Sequence, residues 1–201
     1  IYTTLEGYYD YQSNGGSAQY IRVDSVTGKI HTVFMLADDS ADVSGTRGTG
    51  YAVSTDDGAT WNNFTNVRIP NERSGFPAMD LMRGSAPNRG RPIVTNHNFF
   101  GTGGPTNYSG AYLGDATGFF TPLAQVPARP AGDPIWPRVT SSANGNILIE
   151  SSVSATPSPI VGTFLVSSTN LGSTWSAWQT VPVSRGTGGQ YVMISTQSGR
   201  V

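Results

Sequence analysis

Cysteine is absent from the 201-residue chain, so neither a disulfide framework nor a thiolate metal site can form. Histidine is scarce: His31 and His97 alone do not make an imidazole metal signature, and no metal or cofactor is expected. Charged residues are only 12% of the chain and nearly cancel, leaving a net charge of −1. That balance gives no pull toward nucleic acid or an anionic membrane. No apolar run approaches the ~20 residues that span a bilayer, so no membrane insertion is expected. No segment sustains a 3.6-residue apolar period, which argues against helices. Residues 1–20 lack a basic start followed by an apolar stretch, so no signal peptide is visible. The expectation is a removed leader or a start inside a longer protein, and the repeats below favour the second.

What the chain does have is glycine (25), proline (13) and many short alternating runs. Such a composition suits short strands joined by turns. Two pairs of segments repeat. Gln19-Tyr20-Ile21-Arg22-Val23 and the turn Thr27-Gly28 correspond to Gln190-Tyr191-Val192-Met193-Ile194 and Ser198-Gly199. Tyr191 follows Tyr20 by 171 residues, three times 57. Independently, Ser54-Thr55-Asp56-Asp57-Gly58-Ala59-Thr60-Trp61 corresponds to Ser168-Thr169-Asn170-Leu171-Gly172-Ser173-Thr174-Trp175, 114 residues later, twice 57. A degenerate middle copy, Ala111–Phe120, keeps an aromatic, an Asp and a Gly.

Each copy opens on a hairpin. The expected strand pairs are Tyr20–Val23 with Ile30–Leu36, Ala78–Met82 with Pro92–Asn96, and Arg138–Ser141 with Ile147–Ser151. Asn144-Gly145 is a strong hairpin-turn signal. A third strand enters the repeated loop (Gly50–Val53, Thr163–Ser167) and a fourth leaves it (Trp61–Val67, Trp175–Val181). Four antiparallel strands in about 57 residues read as one β-propeller blade. The fold class is therefore all-β, a partial propeller. Three full repeats are expected near 20–76, 77–133 and 134–190, with partial blades at 1–19 and 191–201. A ring of six to eight blades would need roughly 340–460 residues, so the remaining blades are expected from the same or another chain.

The pattern Ser/Thr-x-Asp-x-Gly-x-Thr-Trp has a physical logic. Asp56 and Asn170 can accept hydrogen bonds from turn N–H groups, and Gly58 and Gly172 allow positive φ. Ser54, Ser168, Thr60 and Thr174 add hydroxyls, and Trp61 and Trp175 supply rings for the gap between blades. The pattern resembles the Asp box of the sialidase-like (BNR-repeat) propellers, with Asn170 a variant of the Asp. The resemblance implies a structural role for these ten residues, on the face away from an active site. It also raises sialidase activity, which in that family needs an arginine cluster, a Tyr–Glu pair and an acid/base Asp. Val67-Arg68-Ile69-Pro70 superficially matches the family's arginine motif, but the repeat places it in the linker between blades. Only three glutamates exist, Glu6, Glu72 and Glu150, and none pairs visibly with a second carboxylate.

Binding residues are expected on the opposite face, where the loops joining second to third strands (37–49, 97–108, 152–161) and successive blades (68–76, 127–136, 182–189) lie. Those loops carry Asp38, Asp39, Arg47, Arg73, His97, Phe99, Arg129, Asp133 and Trp136. Trp136 could stack on a sugar or simply pack. The expected function is a secreted or cell-surface bacterial module, binding a glycan or an extracellular protein without catalysis. Its composition resembles that of proteins exported by type IX secretion. The alternatives are a sialidase-type glycoside hydrolase and a structural subunit of an extracellular assembly.

Overall fold

The computed structural model describes residues 7–8, 20–63, 68–70, 73–99, 107–115, 117–127, 133–154 and 160–181. Every regular element among them is a strand. Strands β1 (Ile21–Val23), β2 (Ile30–Ala37), β3 (Arg47–Ser54) and β4 (Asn62–Asn63) form one antiparallel sheet in sequence order. Strands β5 (Ser74–Leu81), β6 (Pro92–Phe99), β7 (Asn107–Gly114) and β8 (Phe120–Pro122) form a second. Strands β9 (Asp133–Ser141), β10 (Ile147–Ser154), β11 (Ile160–Ser168) and β12 (Gln179–Thr180) form a third. The partial blade expected at 191–201, and all of 1–19 except 7–8, lie outside the described residues. Tyr8 makes an isolated antiparallel bridge with Ala37.

Side chains alternate across each strand, and this alternation joins the sheets. In β6, Val94 enters a core with Val33, Tyr51, Val53 and Met79. Its neighbour Ile93 enters a second core with Val139, Ile147, Ile149 and Val166. In β7, Tyr112 joins the first core and Leu113 the second. The middle sheet is thus buried on both faces, each face against one neighbour. That is how blades stack, and why no single repeat could bury its own surface. Each fully buried large side chain contributes about 1.5–3 kcal/mol.

Strands β5, β6, β7, β9, β10 and β11 extend farther than the hydrophobic pattern predicts. His97 and Phe99 lie inside β6, not in a loop, and Asp133 and Trp136 lie inside β9. The reason is a buried polar half-strand. Thr95, Asn96, His97 and Asn98 are all buried. Thr95 Oγ1 donates to the Gly110 carbonyl at 2.6 Å, Asn96 Nδ2 to Thr49 Oγ1 at 3.1 Å, and Asn98 Nδ2 to the Tyr112 hydroxyl. These hydrogen bonds offset part of the desolvation, and the ladder continues through His97 and Asn98, which read as loop. The inner strands extend through bulges. Pairing shifts register between Gly75 and Ala78 in β5, and opposite Trp136-Pro137 in β9.

The two repeated loops have one geometry. Ser54 Oγ accepts from Gly58 N (2.8 Å) and donates to Asp56 Oδ1 (2.8 Å), while Asp56 accepts from Thr60 N (2.8 Å) and Thr60 Oγ1 (2.6 Å). Ser168, Asn170, Gly172 and Thr174 repeat these contacts, with Asn170 Nδ2 now donating to Thr174 Oγ1 at 2.8 Å. Trp175 Nε1 donates to the Ala124 carbonyl at 2.7 Å, and Trp178 Nε1 to the Pro127 carbonyl at 2.7 Å. The third sheet is thereby tied to the second. The middle copy is a shorter turn in which Asp115 accepts from Thr117 N at 2.8 Å.

Gly172 has φ +75, and a Cβ there would lie 2.9 Å from Leu123 Cβ of the second sheet's exit. Gly28 has φ +74 but open space around it. Gly28→Ala should cost about 1–2 kcal/mol from the left-handed backbone alone. Gly172→Ala should cost about 1–3 kcal/mol more, from overpacking between sheets. Urea unfolding midpoints check the difference, and equal losses would contradict the inter-sheet contact.

Candidate functional site

The first strands of the three sheets converge. Asp80 of β5 accepts from Arg22 Nε of β1 (3.2 Å) and, in β9, from Thr140 Oγ1 (2.9 Å) and Ser141 N (3.1 Å). This clasp sits toward the hairpin-turn end of the inner strands. The cluster with binding chemistry lies at their other end, where the loops between second and third strands emerge.

Phe76 of β5 is its centre. The Arg47 guanidinium lies over the Phe76 ring, 5.0 Å from the centroid. His97 stacks on the same ring at 6.0 Å and 28°. Trp136 meets it edge-on at 6.4 Å and 82°. Phe76 and Trp136 are half-buried, whereas Arg47 and His97 are buried. Arginine over an aromatic face is held by the ring quadrupole.

Both aromatics occupy unusual backbone. Phe76 has φ 50 and Trp136 φ 49, at corresponding bulges and each followed by proline. The left-handed region costs a bulky L-residue roughly 1–3 kcal/mol, and the surrounding structure must over-determine it. That determination is visible. Phe76 N donates to Met35 Sδ at 3.2 Å. At Gly75 a Cβ would lie 2.8 Å from Met35 Sδ and 3.1 Å from Arg47 Nε, so the glycine leaves room for these side chains to pass close to the strand. Beside Trp136, Arg138 Nη1 donates to the Pro137 carbonyl (3.0 Å) and the Trp136 carbonyl (3.3 Å), bracing the second bulge.

Arg138 pairs across the ladder with Glu150 of β10. Burial pushes the Glu150 carboxyl up to about 7, with Arg138 pulling partly the other way. Burial likewise lowers Arg138 from the usual arginine range, opposed by Glu150. Glu150 is enclosed, at 2% exposure. Elsewhere, His31 is buried with Nδ1 2.7 Å from the Tyr51 hydroxyl. Burial, reinforced by Lys29, lowers the imidazole to about 4, while burial raises Tyr51 above the usual phenol range.

These two shifts oppose each other. A His lowered from 6.5 to about 4 gives stability that is complete above 6.5 and lost as pH falls. A Glu raised from 4.5 to about 7 gives stability complete below 4.5 and lost as pH rises. Between 4.5 and 6.5 the slopes cancel, and the unfolding free energy should be flat. Glu150→Gln removes one slope. That variant should lose about 3 kcal/mol on going from pH 6.5 to 4.5, read by urea unfolding. A variant as flat as the parent would contradict the assignment.

Of the sequence-predicted residues, the structure brings His97 and Trp136 together through Phe76. Asp38 is instead ion-paired with Arg68. Asp39 Oδ1 accepts from Ala41 N at 2.8 Å, and Arg73 Nε donates to the Ser44 carbonyl at 2.6 Å, so both serve the 38–46 loop itself. Phe99 and Asp133 are strand residues, and Arg129 lies outside the described residues. Phe76 was missed, and Arg47 was read only as a loop charge. The recurring aromatic-proline pair, Phe76-Pro77 and Trp136-Pro137, was the available signal. Among the described residues, no three His, Asp or Glu gather as a metal site.

No family model and no curated protein matches the chain. Solved structures do. A protein of unknown function from Dyadobacter fermentans is similar at TM-score 0.59 and 14% identity, over 86% of this chain and 52% of that one. The Hadza microbial sialidase Hz136 is similar at TM-score 0.52 and 18% identity, over 82% of this chain and 32% of that one. The likeness shows the fold, a β-propeller architecture of stacked antiparallel sheets. The chain spans about half of the first protein's length and about a third of the second's. At these identities the likeness describes architecture and leaves chemistry to the site.

Proposed function

We propose that this propeller is a carbohydrate-binding module, its saccharide seated at the axial end formed by Arg47, Phe76, His97 and Trp136. The observation that carries the reading is the pair of half-buried aromatic rings held at φ 50 and 49 on neighbouring inner strands. Strain of that kind persists where a ring must face a particular way. An aromatic ring presents an apolar face to the C–H face of a sugar, and flanking polar groups orient the hydroxyls. The structural likeness to a sialidase supports saccharide as the ligand class.

We read the module as non-catalytic. Among the described carboxylates, Asp38 is ion-paired, Asp80 is engaged by three donors and Glu150 is enclosed. Asp24 and Asp80 line one cavity, but both are held by hydrogen bonds within the fold, which supports binding over glycoside hydrolysis. The weakly charged, glycine-rich composition supports a place in a larger extracellular or cell-surface protein. A glycan array combined with a fluorogenic sialoside assay tests both parts. Saturable glycan binding without turnover is expected. Turnover would replace the binding reading with sialidase activity, and neither binding nor turnover would remove the carbohydrate reading.

A further inference from the structure

A cavity lies at the opposite end of the inner strands, among the hairpin turns. Its volume is about 440 Å³, and its charged lining is Arg22, Arg83, Arg89, Asp24 and Asp80. Asp80 is the buried clasp described above. Arg22 Nε lies 3.2 Å from one of its oxygens, and Arg83 Nη2 lies 3.8 Å from the other. Two guanidinium groups therefore flank one carboxylate whose oxygens also accept from Thr140 and Ser141. Arg89, on the exposed turn between β5 and β6, adds a third guanidinium.

Asp24 is a second carboxylate, so three guanidinium groups stand against two carboxylates and the lining holds one positive charge in excess. The Asp24 carboxyl is lowered in spite of burial, because Thr27 Oγ1 (2.5 Å) and Val26 N (3.0 Å) donate to it. The segment carrying Arg83 and Arg89 is pinned. Met82 N donates to the Arg91 carbonyl at 2.9 Å, Gly90 N to the Met82 carbonyl at 2.8 Å, and Arg83 N to Ser141 Oγ at 3.2 Å. Gly84 lies against Gly145, where a Cβ would come within 3.0 Å of its Cα. Guanidinium groups on a fixed frame lose little freedom on binding and match the geometry of an oxyanion.

We infer that this cavity is an oxyanion site, accepting the sulfate or phosphate group of a small ligand between Arg83, Arg89 and the Asp80-held Arg22. It faces away from the aromatic cluster and does not depend on the carbohydrate reading.

Calorimetric titration with inorganic sulfate and with inorganic phosphate tests it, chloride at equal ionic strength serving as the control. Saturable binding of at least one oxyanion is expected. Arg89→Ala, at an exposed turn, should keep the fold and weaken binding roughly tenfold. Arg83→Ala should weaken it comparably, with circular dichroism confirming the fold. Trp136→Ala should leave it unchanged. A preference for phosphate over sulfate, or the reverse, identifies the ester class. No saturable binding beyond the chloride control, or binding untouched by Arg89→Ala, would overturn the site.

Discussion

Asp80→Ala should lower the unfolding free energy by about 3–5 kcal/mol, the cost of removing one partner from a buried, hydrogen-bonded ionic network. The size follows from what the carboxylate holds. Arg22, Thr140 and Ser141 come from the other two inner strands, and Thr140 and Ser141 are fully buried. Without Asp80, the Thr140 hydroxyl and the Ser141 N–H lose their acceptor in a place with little water, at roughly 1–3 kcal/mol each. Arg22 is partly exposed and recovers some hydration. Asp80→Asn should fall between parent and alanine variant, since an amide oxygen still accepts but the charge is gone. Urea unfolding measures all three. A loss below about 1 kcal/mol for Asp80→Ala would mean that the sheets are held by their apolar cores alone.

Trp136→Ala should weaken saccharide binding by roughly 30-fold or more, as expected for a central aromatic hot spot. Its effect on folding should be smaller. The parent residue pays for a left-handed backbone, and the variant trades lost packing against a less bulky occupant of that region. Trp136→Phe keeps a ring and should retain part of the affinity. Phe76→Ala should also lose binding, but with a larger loss of stability, because Arg47, His97 and Trp136 all rest on that ring. Titration calorimetry beside urea unfolding separates the two effects. Full affinity in Trp136→Ala would place the saccharide elsewhere.

Much of the architecture was legible in the residues. Alternation in Ile30–Leu36 and Ile147–Ser151, the Asn144-Gly145 turn and the twin Ser54 and Ser168 loops point to stacked four-stranded antiparallel units. Three such sheets are what the described residues form. The polar ends of the strands were not legible. His97-Asn98 reads as a loop because its partners, Ser109 and Tyr108 across the ladder and the Tyr112 hydroxyl, are distant in sequence. The site was legible only in part for the same reason. His97 and Trp136 stood out as residue types, but the ring that joins them, Phe76, looked like the start of an ordinary strand. A bulge that turns a side chain by one register is a tertiary event, and local pattern does not report it. Asp80 was equally silent: its importance lies in three donors from two other sheets.

The chain carries four tryptophans, and they divide by position. Trp61, Trp175 and Trp178 belong to the repeated loops and their exits, whereas Trp136 alone sits at the aromatic axial end. Their indole N–H signals in a nitrogen–proton NMR spectrum therefore report which end a saccharide meets. During titration with a glycan that binds, the Trp136 indole signal should move with the binding curve while the other three hold still. Movement of Trp61, Trp175 or Trp178 with Trp136 fixed would contradict the axial aromatic site.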